Sequence, residues 1–225
     1  MPLPGLRRRA LIDLEALADN LRELGSDVID LRADAYGHGV ALVAPLAARM
    51  GVSRARVSDE RDAAVARAGG MADVAVGRTG DGDTAARAVY GISGGRPVLT
   101  LLGELVAVKH VPAGSGVSYG YTHRTERPTV LGLVGLGYAD GVPRLASNRA
   151  AVAIDGVRRP LIGRIAMDQF VVDLGDDAPA PGGEVVLLGD PARGEPSAGE
   201  WAAWTERPAL ALTAGLGARI ERVVR

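Results

Sequence analysis

Residues 78–109 read RTGDGDTAARAVYGISGGRPVLTLLGELVAVK, and the pattern of the sequence changes inside this stretch. Its first part, residues 78–96, carries five glycines and little apolar periodicity, which is typical of a junction with a short helix near Thr84–Val89. From Pro97 onward, glycine and proline separate short apolar runs, which predicts an antiparallel barrel or sandwich. The predicted divisions are a β/α part at 1–80, a glycine-rich junction at 81–96 and a β-domain at 97–225.

A series of short apolar runs predicts the β-domain. The predicted strands are Val98–Lys109, Thr129–Tyr138, Ala150–Ile154, Pro160–Ile165, Gln169–Leu174 and Glu184–Leu188, with a last strand at Arg219–Val224. Between them, Ser197 and Glu200 have the spacing of a capping box and predict a short helix containing Trp201 and Trp204.

Before the junction, strands and helices alternate. Ala10–Leu14 is a predicted strand, and the leucines at 14, 17, 21 and 24 predict an amphipathic helix that Gly25 ends. Further strands are predicted at Asp27–Leu31, Arg54–Val57 and Asp73–Gly77. This pattern indicates three or four β/α units with parallel strands. A complete eight-fold β/α barrel usually needs about 200 residues or more, so it does not fit beside a second domain.

The composition excludes several classes of function. The chain has 225 residues, with 26 Lys and Arg against 27 Asp and Glu, and its formal net charge is −1. This balance and the lack of a long basic run argue against a nucleic-acid partner. No stretch of about 18 apolar residues is free of charge, and the N-terminus lacks the apolar core of a signal peptide. We therefore expect a cytoplasmic protein without membrane contact.

The titratable residues narrow the chemistry further. The chain has no cysteine, and His38, His110 and His123 are too scattered in the sequence for a metal site. Of the 26 basic residues, only Lys109 is a lysine. Any chemistry that requires a lysine amine therefore has one candidate side chain.

Several motifs occur in an order that resembles the alanine racemase family. LRADAYGHG at Leu31–Gly39 resembles the family's cofactor-binding motif, and IDLEALADNL at Ile12–Leu21 resembles its opening strand and helix. The segments that resemble its C-terminal β-domain are VPAGSGVSYG (Val111–Gly120), LGYADGVPR (Leu136–Arg144), Ser147 with Asn148, and IGRIAMDQFVVDLGD (Ile162–Asp176). The resemblance covers nearly the whole chain.

The resemblance implies an incomplete (β/α) barrel followed by an alanine racemase-like β-barrel domain. Family members are dimeric isomerases that interconvert L-alanine and D-alanine for peptidoglycan biosynthesis, with pyridoxal 5'-phosphate as cofactor. The cofactor stabilises the carbanion left when the α-proton is removed, and two bases on opposite faces are needed. By motif, Tyr138 falls on the catalytic tyrosine and Tyr36 on a cofactor-binding tyrosine that contacts the phosphate. Met167 falls on the substrate-binding residue whose backbone N–H contacts the carboxylate.

The sequence departs from the family pattern at the cofactor lysine. Arg32 occupies that position, and a guanidinium, with a pKa above about 12 and delocalised nitrogens, is a poor nucleophile. Arg32 is thus a degenerate catalytic position without a covalent link to the cofactor. Lys109 is more typical of a solvated charge on a strand. Ala218 falls where the family has a second phosphate-contacting tyrosine.

A second departure lies in the barrel. Between Asp73–Gly77 and Arg87–Leu101 the family has several further β/α units, and here only the glycine-rich junction remains. The family's phosphate-binding loop, the arginine that faces the pyridine nitrogen and other barrel residues of the site are therefore missing. The remaining motif residues also have structural interpretations: packed aromatics for Tyr138 and Tyr36, a core filler for Met167, a backbone hydrogen bond for His38, and a structural ion pair for Arg164 with Asp168.

Three interpretations remain open at this point. The first is a pseudoenzyme that does not racemise alanine on its own. The second is a non-catalytic or regulatory subunit that pairs with a full-length racemase and supplies Tyr138 in trans. The third, an active enzyme whose Arg32 is a sequencing error or an engineered change, conflicts with the missing barrel units. The predicted partners are alanine and a second subunit, in a homodimer or a heterodimer.

Overall fold

The computed structural model describes residues 6–77 and 82–225, and the chain divides into two compact units. The unit that we call the β/α unit comprises the described residues of Leu11–Leu99 with Ala209–Gly215 and Arg222–Arg225. The unit that we call the barrel unit comprises residues 6–10, Thr100–Pro208 and Leu216–Glu221. The predicted boundaries of the β/α part (1–80), the junction (81–96) and the β-domain (97–225) stay a prediction.

The β/α unit contains a parallel sheet of three strands in the order β2 (Val28–Asp30), β3 (Arg54–Val57) and β4 (Asp73–Val76). Its helices are α1 (Leu14–Leu24), α2 (Val40–Arg49), α3 (Glu60–Ala68), α4 (Gly82–Val89) and α6 (Ala209–Ala214). Asp13 caps α1 by accepting the Ala16 N–H at 2.8 Å, and Asp59 caps α3 through the Asp62 N–H at 2.9 Å. The predicted alternation of strands and helices is therefore confirmed.

The first predicted strand has a different place. β1 (Arg9–Ile12) is not part of the parallel sheet but of a larger, eight-stranded sheet, in which it lies between β5 (Leu99–Val111) and β13 (Glu221–Val224). The expectation that this strand belongs to the first β/α unit was therefore wrong. The apolar pattern of Ala10–Leu14 predicts a strand but does not specify the strand with which it pairs. The short helix expected near Thr84–Val89 is confirmed by α4, whereas residues 78–81 of the junction lie outside the described residues.

The barrel unit contains a closed antiparallel barrel of six strands. Its order is β12-β9-β10-β11-β8-β5, and β12 pairs again with β5 to close it. The strands are β5 (Leu99–Val111), β8 (Thr129–Val134), β9 (Ala151–Ile154), β10 (Val157–Ile162), β11 (Phe170–Gly175) and β12 (Glu184–Leu188). The remaining strands are β6 (Gly116–Val117), β7 (His123–Arg124) and β13 (Glu221–Val224). Closure decides between the predicted alternatives of barrel and sandwich, and leaves no open edge in the six-stranded ring.

Strand β10 begins earlier than the expected Pro160–Ile165. Asp155 and Gly156 have φ of 50° and 75°, which is the geometry of a two-residue hairpin turn between β9 and β10. Val157 consequently faces Ile154, and Pro160 faces Ala151, in the antiparallel register. The Asp-Gly pair is the turn signal that the sequence-based strand bounds did not use.

Apolar side chains that alternate along the strands fill the barrel. Those at most 3% exposed include Val130, Val134, Val152, Ile154, Leu161, Phe170, Val172, Leu174, Val185 and Leu187. The predicted capping box is present on α5 (Ala198–Thr205), where Ser197 Oγ accepts the Glu200 N–H at 3.1 Å and Glu200 Oε2 accepts the Ser197 N–H at 2.8 Å. Among the helices in the described ranges, none is long and apolar enough to cross a membrane.

Candidate active site

The motif that contains Arg32 forms a left-handed turn directly after strand β2. Ala33, Asp34, Ala35 and Tyr36 have φ between 50° and 54°, a conformation that costs L-residues roughly 1 to 2 kcal/mol each. Hydrogen bonds offset part of this cost. Ser58 Oγ accepts the Ala33 N–H at 2.8 Å, and Asp34 Oδ1 accepts the Val40 N–H at 2.8 Å. The turn fixes the direction of the side chains of Arg32 and Tyr36.

Arg32 forms a two-pronged ion pair with Asp30. Its Nε lies 2.9 Å from Asp30 Oδ1, and its Nη2 lies 2.5 Å from Asp30 Oδ2. The Tyr36 hydroxyl donates to the same Oδ2 at 3.0 Å. The Asp30 side chain is 4% exposed and that of Arg32 is 18% exposed. Parallel N–H donors on two carboxylate oxygens make this one of the stronger types of ion pair.

The cluster of Asp30, Arg32 and Tyr36, which we call the Arg32 cluster, keeps both charges in place. Burial by itself raises the pKa of Asp30, but the hydrogen bonds from Arg32 and Tyr36 bring it below its ordinary value. The pKa of Arg32 is raised because its side chain donates to Asp30. The site therefore holds a carboxylate and a guanidinium that neutralise each other.

His38 supports the turn from inside the unit. It is fully buried, and its Nδ1 lies 2.9 Å from the Ala35 carbonyl and 3.2 Å from that of Tyr36. Burial lowers the pKa of His38 to about 4, so the ring is neutral and Nδ1 carries the proton. The ring stacks on Tyr90 at 4.3 Å, and the Tyr90 hydroxyl donates to the Asp30 carbonyl at 2.8 Å. The predicted backbone role of His38 is confirmed.

Glycine is required at the end of the turn. Gly37 has φ of 82°, and a Cβ placed on it would lie 2.0 Å from the Thr213 carbonyl oxygen of α6. Arg222 Nε donates to the Gly37 carbonyl at 3.1 Å. The C-terminal segments of the β/α unit thus pack against the turn, a constraint that the local sequence does not reveal.

The other two predicted site residues lie in the barrel unit, and their backbones are joined. The Tyr138 N–H donates to the Ala166 carbonyl at 3.0 Å, and the Ala139 N–H donates to the Met167 carbonyl at 3.0 Å. Gly137 permits this approach, because a Cβ there would lie 2.3 Å from the Met167 oxygen. Tyr138 is 41% exposed and Met167 is 52% exposed, so the core-filler interpretation of Met167 was wrong.

Arginines surround the tyrosines of this surface. The Arg144 guanidinium carbon lies 5.6 Å from the centre of the Tyr138 ring, and Arg144 Nη2 donates to the Tyr119 hydroxyl at 2.7 Å. Arg164 lies over the Tyr119 ring at 5.6 Å. The pair expected between Arg164 and Asp168 is replaced by other contacts, since Asp168 Oδ1 lies 2.7 Å from Arg219 Nη1.

Arg219 also contacts the turn that carries Tyr138. Its Nε lies 2.8 Å from Oδ1 of Asp140, whose side chain is completely buried, while Asp140 Oδ2 accepts the Gly137 N–H at 2.9 Å. Donation to Asp140 and to Asp168 raises the pKa of Arg219. The sequence analysis missed Asp30, Asp140 and Arg219. The available signal for Asp30 was an opposite charge two positions before Arg32 in the sequence.

Lys109, the only lysine, is an exposed residue of β5 that faces Leu131 across the β5–β8 ladder. Among the described residues, no group of three or more His, Cys, Asp or Glu has the arrangement of a metal site. The chemistry-bearing residues are therefore those of the Arg32 cluster in one unit and the Tyr138–Met167 surface in the other.

Comparison with known proteins gives this architecture a class. A β/α unit and a six-stranded β-barrel with a tyrosine surface together define an alanine racemase-like protein. The family model "Alanine racemase, C-terminal domain" matches residues 98–224, and the chain belongs to that family.

Sequence relatives match part of the chain. The alanine racemase of Streptomyces coelicolor is 50% identical over 147 residues, which is 60% of this chain and 38% of that protein. The alanine racemase of Thermobifida fusca is 47% identical over 144 residues, again 60% of this chain and 38% of that protein. The chain thus matches less than two fifths of the length of these relatives.

Solved structures match over more of the fold. The alanine racemase of Streptomyces lavendulae has a TM-score of 0.89 and 26% identity, and the match covers 99% of this chain and 98% of that chain. The alanine racemase of Bartonella henselae, with a TM-score of 0.82 and 17% identity over 99% of this chain and 100% of that chain, contains covalently bound pyridoxal phosphate.

Proposed function

We propose that this chain is a degenerate alanine racemase, a pseudoenzyme that does not interconvert the enantiomers of alanine on its own. The observation that carries the proposal is the ion pair of Arg32, the residue that the motif resemblance aligns with the cofactor lysine of the family. Its Nε and Nη2 donate to Oδ1 and Oδ2 of Asp30 at 2.9 and 2.5 Å. A guanidinium in a bidentate pair has neither the free electron pair nor the freedom of movement that a carbonyl-binding amine needs.

The residues present do not fit covalent pyridoxal phosphate. Arg32 does not replace a lysine amine, and Lys109 is an exposed residue of β5 in the barrel unit, whereas the motif belongs to the β/α unit. The Tyr36 hydroxyl, the expected phosphate contact, already donates to Asp30 at 3.0 Å. Ala218, at the place of the family's second phosphate-contacting tyrosine, has no hydroxyl. We therefore derive no reaction step through the cofactor.

An internal loss of barrel units supports the same proposal. The parallel sheet of the described β/α unit has three strands, whereas a complete β/α barrel has eight. The structural match to the Streptomyces lavendulae enzyme reaches 98% of that chain, although the sequence match to the Streptomyces coelicolor enzyme covers 38% of that protein. A short chain that aligns with both ends of a longer structure leaves residues in the middle of that structure unmatched.

A specific observation favours a second candidate function. The Tyr138–Met167 surface is built around the hydrogen bonds of Ala166 and Met167, and both Tyr138 and Met167 are exposed. Such a surface suits a subunit that pairs with a full-length racemase and supplies Tyr138 in trans. Its test is coexpression with a full-length alanine racemase. Copurification in a complex whose activity falls with Tyr138→Phe would support it, and failure to copurify would contradict it.

The main proposal is tested by spectroscopy. The purified chain is mixed with pyridoxal phosphate, and its visible spectrum and intact mass are recorded before and after borohydride reduction, with the Streptomyces coelicolor enzyme as positive control. We expect no reducible band and no mass increase for this chain. A stoichiometric adduct on the natural sequence, at Lys109 or the N-terminal amine, would overturn the proposal. The dimeric state and the cytoplasmic location stay predictions.

A further inference from the structure

We propose that Asp30 is a second determinant of the lost cofactor chemistry, so that restoring a lysine at position 32 does not by itself restore a reactive amine. This inference rests on the proposed function. Its basis is the geometry of the Arg32 cluster, in which both oxygens of a nearly buried carboxylate lie 2.5 to 2.9 Å from the guanidinium.

The position of Asp30 is determined by the backbone. Asp30 is the last residue of β2, and its Oδ1 accepts the Arg32 N–H at 3.1 Å in addition to the side-chain contacts. The Tyr36 hydroxyl donates to Oδ2 at 3.0 Å. Because these two bonds do not involve the guanidinium, the carboxylate stays in place when the residue at 32 is changed.

The chemistry at stake is carbonyl condensation. A lysine introduced at position 32 would have to present a neutral amine in order to condense with an aldehyde and release water. A protonated amine has no electron pair for this condensation. An ammonium beside Asp30 is stabilised by the opposite charge, which raises the pKa of the amine and keeps the proton on it.

Few other groups could compensate for Asp30. Tyr36 and Tyr90 face it from the turn and from the end of α4, and burial raises the pKa of Tyr90 well above its ordinary value. Arg56 is its register partner on β3. After burial and the Asp30 carboxylate, the Asp34 carboxylate also raises the pKa of Tyr90. The Asp30 carboxylate is hydrogen-bonded directly to the side chain at position 32 through both of its oxygens.

The test compares three variants that carry the introduced lysine: Arg32→Lys, Asp30→Asn/Arg32→Lys and Asp27→Asn/Arg32→Lys. Asp30→Asn removes the charge and keeps the shape. Asp27→Asn removes an exposed carboxylate near the start of the same strand, where it pairs with Arg54, and is the matched control. Each variant is labelled with an amine-directed acylating reagent from neutral to alkaline pH. Peptide mass spectrometry then gives the labelling midpoint, with Lys109 as the reference amine in the same molecule.

We expect the labelling midpoint of the introduced amine to fall by about 1 to 3 pH units in Asp30→Asn/Arg32→Lys relative to Arg32→Lys. The Asp27→Asn control should leave it unchanged. At neutral pH, borohydride trapping of pyridoxal phosphate should rise by roughly tenfold or more in the Asp30 double variant. Equal midpoints in the presence and absence of Asp30 would overturn the inference.

If Asp30→Asn/Arg32→Lys does not fold, the single variant Arg32→Lys still tests the inference. In Arg32→Lys alone, the introduced amine should titrate at or above Lys109, and a midpoint clearly below that of Lys109 would overturn the inference. Circular dichroism establishes which variants are folded. Failure of the proposed function is seen separately, as cofactor uptake or racemisation by the unmodified chain, which contains no lysine at this position.

Discussion

The Nε of Arg219 lies 2.8 Å from the buried Oδ1 of Asp140, and its Nη1 lies 2.7 Å from Oδ1 of Asp168. Asp140 ends the turn of Tyr138, and Asp168 follows Met167 directly in the sequence. One guanidinium therefore holds both segments of the Tyr138–Met167 surface.

Asp140→Ala should destabilise the barrel unit. The substitution removes the acceptor of the Gly137 N–H and of Arg219, and we expect the free energy of unfolding to fall by about 1 to 3 kcal/mol. Urea denaturation monitored by circular dichroism measures the change. Asp176→Ala is the control, because that carboxylate is 87% exposed and its pair with Arg127 is worth about 1 kcal/mol at most. Equal losses in the two variants would contradict the importance of Asp140.

Stability should decrease on mild acidification because of His38. Its pKa is about 4 in the folded chain against an ordinary 6.5, so the unfolded chain binds more protons between these values. The resulting contribution is complete above pH 6.5 and is lost as the pH falls toward 4, by about 3 kcal/mol in total. Urea denaturation at a series of pH values measures it.

His38→Gln should flatten the pH dependence of the free energy of unfolding in the range above the pH at which ordinary carboxylates titrate. His110→Gln is the control, because His110 is an exposed residue of β5 and should leave the slope unchanged. A slope that persists in His38→Gln would show that another group is responsible.

Gly37→Ala should be more harmful than an alanine at another left-handed glycine. Its Cβ would lie 2.0 Å from the Thr213 oxygen, so we expect a loss of about 2 kcal/mol or more, through strain and displacement of α6. Gly25→Ala is the matched control. Gly25 has φ of 62° with nothing within 4 Å, and the change should cost only about 1 kcal/mol. Comparable melting temperatures for the two variants would be inconsistent with the packing of α6 on the turn.

Local sequence patterns predicted the parts of the fold that depend on local interactions. The Ser197 and Glu200 capping box and the α1 stop at Gly25 are examples, because their signals lie within a few residues of each other. The left-handed turn of ADAY was not predictable in this way. Of its four residues only Asp34 is of a type that is enriched at positive φ. The Ala33 N–H bond to Ser58 Oγ and the packing of Thr213 at Gly37, which involve residues distant in sequence, support the turn.

The candidate site shows the same limit. Motif resemblance pointed to Arg32 and Tyr138 but said nothing about their partners, because ion pairs such as Arg219 with Asp140 join residues distant in sequence. Asp30 was within reach of sequence reasoning. An acidic residue two positions before an arginine is a candidate partner for an ion pair. The bidentate geometry was not predictable, because Leu31 between the two residues departs from the extended conformation with ψ of 13°.

The central claim is that the chain does not remove the α-proton of alanine, and exchange of that proton for deuterium measures this step directly. L-Alanine, pyridoxal phosphate and the purified chain are incubated in deuterium oxide, and NMR follows the α-proton signal, with a no-protein sample as background. We expect loss of signal at the background rate, for the natural chain and for Tyr138→Phe alike. Exchange that exceeds the background in the natural chain and disappears in Tyr138→Phe would contradict it.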